Sequence, residues 1–489
     1  MRVADSTCGS RLRRMTNTVI LAGVWVTAAG FASLSRAEEQ PPASPPPVSS
    51  VPIPIEPETI AAPGLRLEDL EILALRHNPT LAQAAAAIDQ QRGVWQQVGL
   101  YPNPQVGYLR TDPNGAGGTR SEGVFVGQEI VTAGKLRRGQ AVELQEIRRL
   151  ETEWQAQRTR VLNDLKVRYY EVLGAQQAVV IAEDLHRLTA EGLSLVDKLL
   201  QAQGATRADL LQARIQEQTA QATLDDAKIR HEAGWRQLTA MMGVPQMVPT
   251  PLVGRLDDEI PKLDFDGCYL YLIDASPQLR AAKIRIGHAQ RELSRERAGA
   301  IPNVTVQAIT EFDHTTGATN VSTVLSAPLP TFNRNQGNIN HAYADIREAT
   351  AEVQRVRLVL HDQLADTFRR YESARRRVER LQNQVLGDTE ENLRLVTDGQ
   401  RQGEFSLFQV HAARQLYSQT QLAYVDSLTE LRKQIVEIDG LLLTGGLNPA
   451  ALGAAIQTQG GIQQQGLLNQ LQERATQQLL PGTIQAIGP

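Results

Sequence analysis

The amino-acid sequence predicts a mainly α-helical fold with a small β part: long antiparallel helices joined to two strand hairpins. Three observations predict it. The stretch from Ala74 to Gly243 is echoed, with little identity, from about Asp274 to Leu443. Each copy has an Asx/Ser-Pro start, a strand pair, a very long helical run, a Gly turn and a return helix. The offset of roughly two hundred residues far exceeds the ~20–50 residues of solenoid and propeller units, so this is a duplicated domain half rather than a repeat array. Apolar residues in the long runs recur at helical spacings, and the strand candidates alternate apolar with polar.

The N-terminus predicts an export signal over residues 1–37. Arg11, Arg13 and Arg14 precede an apolar core, Val19 to Phe31, with Thr27 its one polar interruption, and Ser35-Arg36-Ala37 offers a small-x-small cleavage site before Glu38. A membrane anchor is the weaker reading, since the run is shorter than the ~20 residues a spanning helix needs. Cys8 would leave with the signal, so Cys268 remains alone and no internal disulfide is expected. No second long apolar run follows; a membrane crossing would therefore use strands. The balance of 50 basic against 54 acidic residues, without a basic block, argues against nucleic acid as a partner.

Residues 38–64 read as a Pro-rich linker, and the first structural repeat as 65–243. In that repeat Glu68 to Leu100 is helical with a break at Asn78-Pro79, where Pro suits a first helical position. Tyr101-Pro102-Asn103-Pro104 stops it. Strands are expected at Gln105–Arg110 and Gly123–Val131 around a turn-rich loop containing Asp112-Pro113-Asn114-Gly115. A helix then runs from about Leu136 to Leu200, on the order of 90–100 Å at ~1.5 Å per residue. Gly204 breaks it, and Arg207 to about Met242 returns. Residues 244–267, with Pro245, Pro249, Pro251 and Pro261, read as an inter-repeat linker. The second repeat, 268–443, carries Ser276-Pro277, strands at Val304–Phe312 and Val321–Leu329, a long helix from about Gly337 to Val396, a turn at Gly403 and a return from Ser406 to Leu443. Residues 444–489 are rich in Gln and Gly and read as a tail without a core.

The first long helix has a seam of Leu144, Ile147, Trp154, Val161, Leu165 and Val172; the second has Ile339, Ile346, Val353, Val356, Leu360, Leu364 and Phe368. These are coiled-coil spacings, with the rest of the circumference polar. Taken alone, such seams fit a plain exported coiled coil as well as the wall of a water-filled tube. The strands favour the tube. Val304, Val306 and Ala308 alternate with Thr305 and Gln307, while Val321, Thr323, Leu325 and Ala327 alternate with Ser322 and Ser326, although Val324 breaks the polar side. Tyr101, Tyr108, Phe125 and Phe312 lie near strand ends, where interfacial aromatics would sit. Four strands cannot close a barrel, for which about eight is the working minimum, and open edges in lipid leave backbone groups unpaired. Two chains would give a filled eight-stranded barrel, three a twelve-stranded barrel with an aqueous lumen.

At this point the chain resembles the TolC-like outer membrane efflux family, from about Leu65 to Leu443. The motifs are Arg76-His77-Asn78-Pro79, Tyr101-Pro102-Asn103-Pro104, and Gln128-Glu129-Ile130 leading into Ala133-Gly134-Lys135. In the second half they are Ser326-Ala327-Pro328-Leu329-Pro330 leading into Phe332-Asn333-Arg334-Asn335-Gln336-Gly337. The strand exits, marked by Gly134, Lys135, Pro328, Pro330, Asn333, Arg334 and Gly337, are similar to those of the heavy-metal RND efflux branch. The resemblance implies a homotrimer with a twelve-stranded barrel in outer membrane lipid and a long periplasmic α-barrel. It implies a periplasmic adaptor (membrane fusion) protein that links the duct to an RND-type inner-membrane pump. It places adaptor contact at two tips, Gly204, Ala205, Thr206, Asp209 and Leu210, and Gly403, Glu404, Phe405, Ser406 and Leu407. Physically, each Gly suits a left-handed helix end, and Thr206 and Ser406 can cap the next helix. Family members carry aspartates just after the second tip; this chain has Gln409, His411 and Ala412 there, so Asp398 or Asp209 stands in as an aperture carboxylate beside Gln409 and His411.

No enzymatic motif or cofactor site is expected. Gly127 to Lys135 has the glycines of a phosphate loop, but the spacing is wrong and Leu136 stands where Ser or Thr should be. The eight His form no close ligand spacing, and His341 and His361 read as solvated helix residues. The functional expectation is a passive exit duct, with heavy-metal cations as the candidate cargo, in the outer membrane of a Gram-negative-type bacterium. The alternatives are a type I protein secretion outlet of the same fold and a soluble exported coiled-coil scaffold.

Overall fold

The computed structural model describes residues 64–111, 120–258 and 260–449. The expected signal peptide, nearly all of the Pro-rich linker, the tip of the first hairpin loop and the tail from 450 onward lie outside the described residues.

Each half begins with a short helix broken at proline. Helix α1 (Leu67–His77) gives way to α2 (Pro79–Val98), and α5 (Phe265–Ala275) to α6 (Pro277–Gly299). The cause is local and the same in both. Asn78 accepts a bond from the Thr80 N–H and Ser276 from that of Leu279, with Pro first in the new helix, where its missing N–H costs nothing. Helix α5 starts inside the segment expected to be linker. Asp264 caps it, accepting from the Gly267 N–H at 2.9 Å.

After α2 come β1 (Gln105–Thr111) and β2 (Ser121–Ile130), then α3 (Lys135–Gln201) and α4 (Arg207–Met242). After α6 come β3 (Val304–Asp313) and β4 (Thr319–Ser326), then α7 (Gln336–Arg380), a π-helical turn (Leu381–Val385), α8 (Leu386–Arg401) and α9 (Leu407–Asp439). Helix α3 holds 67 residues without interruption, about 100 Å of rise. Its counterpart differs: what the sequence predicts as one helix contains the π turn. Strand β4 stops at Ser326 rather than Leu329, because Pro328 and Pro330 have no N–H to pair and the residue before a proline is held extended.

The core is widest where the short helices and the inter-repeat segment wrap the long ones. Leu70, Leu165, Val172, Leu238, Leu272, Leu279, Leu360 and Leu364 form one buried cluster there. Residues 244–264 are strapped on by polar side chains: Tyr169 Oη donates to Val253 O (2.8 Å), Tyr371 Oη to Pro261 O (2.8 Å) and Arg432 Nε to Leu256 O (2.8 Å). Burial pushes the Tyr169 hydroxyl up to about 12. Of the expected seams, Ile147, Val161, Leu165, Val172, Val353, Leu360 and Leu364 are buried. Leu144 is 40 % exposed; Val142 and Leu150 are buried in its stead, since the stripe turns around the helix as neighbours change along its length.

Candidate functional site: an open sheet, two strand exits and two helical tips

The four strands form one antiparallel sheet in the order β1-β2-β3-β4. Opposite residues share a face, so the three registers decide which side each occupies. One row reads Val106, Val126, Ala308, Thr323; the next on the same face reads Tyr108, Val124, Thr310, Val321; a third joins Gln128, Val306 and Leu325. The other face carries Gln105, Gly127, Gln307 and Val324, then Leu109, Gly123, Glu311 and Asn320. The sheet is thus apolar on one side and mostly polar or glycine on the other. Its apolar side is uncovered, with Val106 and Val321 each 75 % and Leu325 70 % exposed. Phe125 is a correction: it falls on the polar face with Gly107, Ile309 and Ser322, while Tyr108 and Phe312 lie on the apolar one. Neither β1 nor β4 has a second partner among the described strands.

The strand exits turn the chain into helix with left-handed residues. Gly134 (φ 61°) precedes α3 and Asn335 (φ 60°) precedes α7. At the first exit Lys135 Nζ donates to Asn303 Oδ1 (2.6 Å) and Asn303 Nδ2 to Glu129 Oε1 (2.6 Å), while Thr132 Oγ1 donates to Pro302 O (2.6 Å). At the second, Asn335 Nδ2 donates to Glu296 O (2.8 Å), Arg334 Nε to Pro330 O (3.3 Å), and Asn333 Oδ1 accepts from the Asn335 N–H (3.0 Å). Pro328 and Pro330 line a hollow of about 450 Å³ beside Phe332. Gly337 lies in the first turn of α7 with open space around it. Asn303 ties the two halves together, and nothing local in the sequence reveals its partners.

The tips are near copies. The Gly204 N–H bonds Leu199 O (2.7 Å) and the Gln203 N–H bonds Leu200 O (3.0 Å); the Glu404 N–H bonds Gly399 O (2.9 Å) and the Gly403 N–H bonds Gln400 O (3.1 Å). Both are Schellman ends. The left-handed residue is Gly403 (φ 79°) at the second tip but Gln203 (φ 60°), not Gly204, at the first. Thr206 and Ser406 then cap α4 and α9 in capping boxes closed by Asp209 and Gln409. Bonds from the Thr206 N–H and hydroxyl hold the Asp209 carboxyl below its usual range. Ala205 is half-buried and Leu210 is the fourth residue of α4. Phe405 folds back over Gly399, and Leu407 opens α9. Of the expected aperture group, Asp209 and Gln409 are therefore engaged as caps. Asp398 is ion-paired with Arg401 (3.2 Å), and His411 is buried rather than facing water.

The other histidines singled out from the sequence are exposed. His341 pairs with Asp345 at 3.4 Å, and the His361 ring meets Phe265 and Tyr269 edge-on. Among the described residues no group of three His, Cys, Asp or Glu side chains is placed to hold a metal ion, and no helix is long and apolar enough to cross a membrane.

The chain is 25 % identical over 395 residues to the cobalt-zinc-cadmium resistance protein CzcC of Cupriavidus metallidurans, covering 80 % of this chain and 92 % of that protein. In fold it is similar to a membrane protein from Pseudomonas aeruginosa (TM-score 0.66, 19 % identity, 77 % of this chain and 92 % of that one). It is likewise similar to the transmembrane channel CusC (TM-score 0.64, 17 % identity, 78 % and 92 %). The family described as outer membrane efflux protein matches residues 72–244 and 271–442. The chain belongs to the outer membrane efflux protein family, a family of ducts and not of enzymes.

Proposed function

We propose that this chain is one of three identical subunits of an outer membrane exit duct in a tripartite efflux machine. The observation that carries this reading is the sheet: four strands in register with one uncovered apolar face, two free edges and long, wet helices leaving one end. Strands β1 and β4 run antiparallel, so β4 of one copy pairs with β1 of the next in the same sense as within a chain, and three copies close a twelve-stranded barrel with an aqueous lumen. The apolar face meets outer membrane lipid and the polar face lines the lumen. Below it the helices form a periplasmic tube. The capped tips around Thr206 and Ser406 are the adaptor-binding ends, joined through a periplasmic adaptor to an RND-type pump that supplies the energy. Likeness to a cobalt-zinc-cadmium resistance protein supports divalent heavy-metal cations as the cargo.

The test combines biochemistry with genetics. The mature chain should be extracted only by detergent and run as a heat-sensitive trimer on unboiled gels. A deletion strain should lose resistance to cobalt, zinc or cadmium while keeping resistance to drugs. A detergent-free monomer would refute the duct, and loss of drug resistance or of protein export alone would refute the cargo.

A further inference from the structure

A buried histidine sits where the two tip-bearing helical pairs meet. His411 lies in the second turn of α9, is 6 % exposed, and its Nε2 has no hydrogen-bond partner among the described residues. Its ring fills a notch in α3 left by Gly192; a Cβ at that glycine would overlap the imidazole. Beside it is a cavity of about 60 Å³, lined by Thr189 of α3, Gln216 and Thr223 of α4, and Gln415 of α9. An orphaned buried nitrogen in a polar setting is costly to keep, about 1–3 kcal/mol for a neutral group, and much costlier once charged.

The charged groups on the packed elements do not offset a charge on that ring. Arg414, on the same helix, repels one. On α3, Glu191 is held by Arg187 (3.3 Å); across α3 and α4, His186 and Glu217 pair with each other (3.3 Å). On α8, Asp398 is held by Arg401 (3.2 Å) and Arg394 (4.0 Å). The same pair has a place to bend. The π turn at Leu381–Val385 interrupts the α7–α8 rod, contains no buried residue, and has no counterpart in α3. Such turns weaken the regular hydrogen-bond ladder.

We propose that His411 and the Gly192 notch form a pH-sensitive latch: the neutral imidazole seats against α3 and holds α9 there, and protonation at Nε2 unseats it and frees the α8–α9 tip to swing at the π turn. Burial first, and Arg414 second, keep the seated ring below the ordinary histidine value. The unlatched form therefore binds more protons. Acidification below about pH 6.5 favours it, by at most about tenfold per pH unit per chain, until the seated ring's own lowered pKa is reached. Above that window the latch stays closed. The inference deepens the duct reading by giving its periplasmic end a trigger, and it rests on that reading only for the conductance arm of the test.

The experiment uses the full mature chain reconstituted in lipid, with two readouts as the tip side goes from about pH 7.5 to about pH 5.5. One is single-channel conductance in planar bilayers. The other is the distance between spin labels on Leu211→Cys and Leu395→Cys, both exposed, in a Cys268→Ser background. In the wild type acid should raise the open fraction at least about fivefold and lengthen the label distance. His411→Gln should abolish both responses, and Gly192→Ala should give the open signature already at neutral pH. An unchanged acid response in His411→Gln, or none in the wild type, overturns the latch. Should His411→Gln fail to assemble, the Gly192→Ala and wild-type titrations decide. Absence of pores at every pH counts against the duct, and the label distances still decide the latch.

Discussion

Replacing Ala308 with Arg isolates the assignment of sheet faces. Ala308 is the fifth of ten residues in β3, paired with Val126 on one side and Thr323 on the other. Ten residues at ~3.3 Å cover roughly 33 Å along the strand, or about 25 Å of height at the usual tilt, which matches the apolar band of an outer membrane barrel. Ala308 then lies near mid-height on the lipid side, where an Arg costs about 2–4 kcal/mol per chain. At ~1.4 kcal/mol per decade, that is a roughly thirty- to thousandfold shift away from the inserted state. Its neighbour Gln307 points to the other face, opposite Gly127 and Val324, and an Arg there meets water in the lumen. Urea-unfolded chains would be folded into phospholipid vesicles and scored for heat-sensitive oligomer on unboiled gels. Ala308→Arg should insert poorly and Gln307→Arg about as well as the wild type. Equal insertion of both, or failure of Gln307→Arg alone, would refute the face assignment and the lipid contact built on it.

Two further outcomes follow from packing. Asn163, buried on α3, donates from Nδ2 to Gly440 O and Leu443 O, both at 2.8 Å, and so secures the end of α9. Asn163→Ala strands two carbonyls at about 1–3 kcal/mol each, and thermal unfolding in detergent should begin at clearly lower temperature, with an unchanged melt counting against the strap. At the first tip Gln203 sits in the left-handed region that Gly403 fills at the second. Gln203→Gly should slow local amide exchange there by stabilising the turn about 1 kcal/mol and Gly403→Ala should speed it at the other tip, while opposite signs would contradict the assigned φ values.

Features decided within a few residues were legible in the sequence. The breaks at Asn78-Pro79 and Ser276-Pro277, the caps Thr206 and Ser406 and the extent of α3 and α4 need only capping chemistry and helical period. Misreadings arose where two local signals compete or where a distant partner decides. Helix α5 was hidden because Pro261 and Gly267 look like linker punctuation; in the fold Gly267 contributes the N–H that Asp264 caps. At the first tip glycine, the usual left-handed occupant, points to Gly204, whereas the Schellman bonds place the left-handed residue one position earlier. A position near a strand end suggests the membrane interface for Phe125, while its face follows from the β2–β3 register, a pairing across nearly the whole first half. Likewise the hydrogen bonds of Asn303 and the burial of His411 against Gly192 depend on residues far away in sequence.

The strand exits solve a geometric mismatch that any duct of this construction must meet. Strands lie ~4.8 Å apart, so twelve of them tilted by about 40° enclose a circumference of roughly 75 Å. Each chain sends four helical rods downward near the sheet, α2, α3, α6 and α7, and four toward the tips, α3, α4, α8 and α9. Twelve rods spaced 8–10 Å apart need about 100–120 Å. The wall must therefore widen within the few residues of each strand–helix junction, at α2–β1 and α6–β3 as well as at β2–α3 and β4–α7. At the two exits the turn is made by left-handed Gly134 and Asn335 and is tied by the bonds from Lys135 to Asn303 and from Asn335 to Glu296. The α2–β1 and α6–β3 junctions carry no left-handed residue and pass instead through Pro102, Pro104 and Pro302. The second exit, which carries Pro328 and Pro330, is the longer of the two and follows β4, an edge strand of the sheet. The joint is thus shared by two kinds of junction, left-handed exits into α3 and α7 and proline-bearing entries from α2 and α6, and two halves that have drifted far in sequence keep the same kind at the same place.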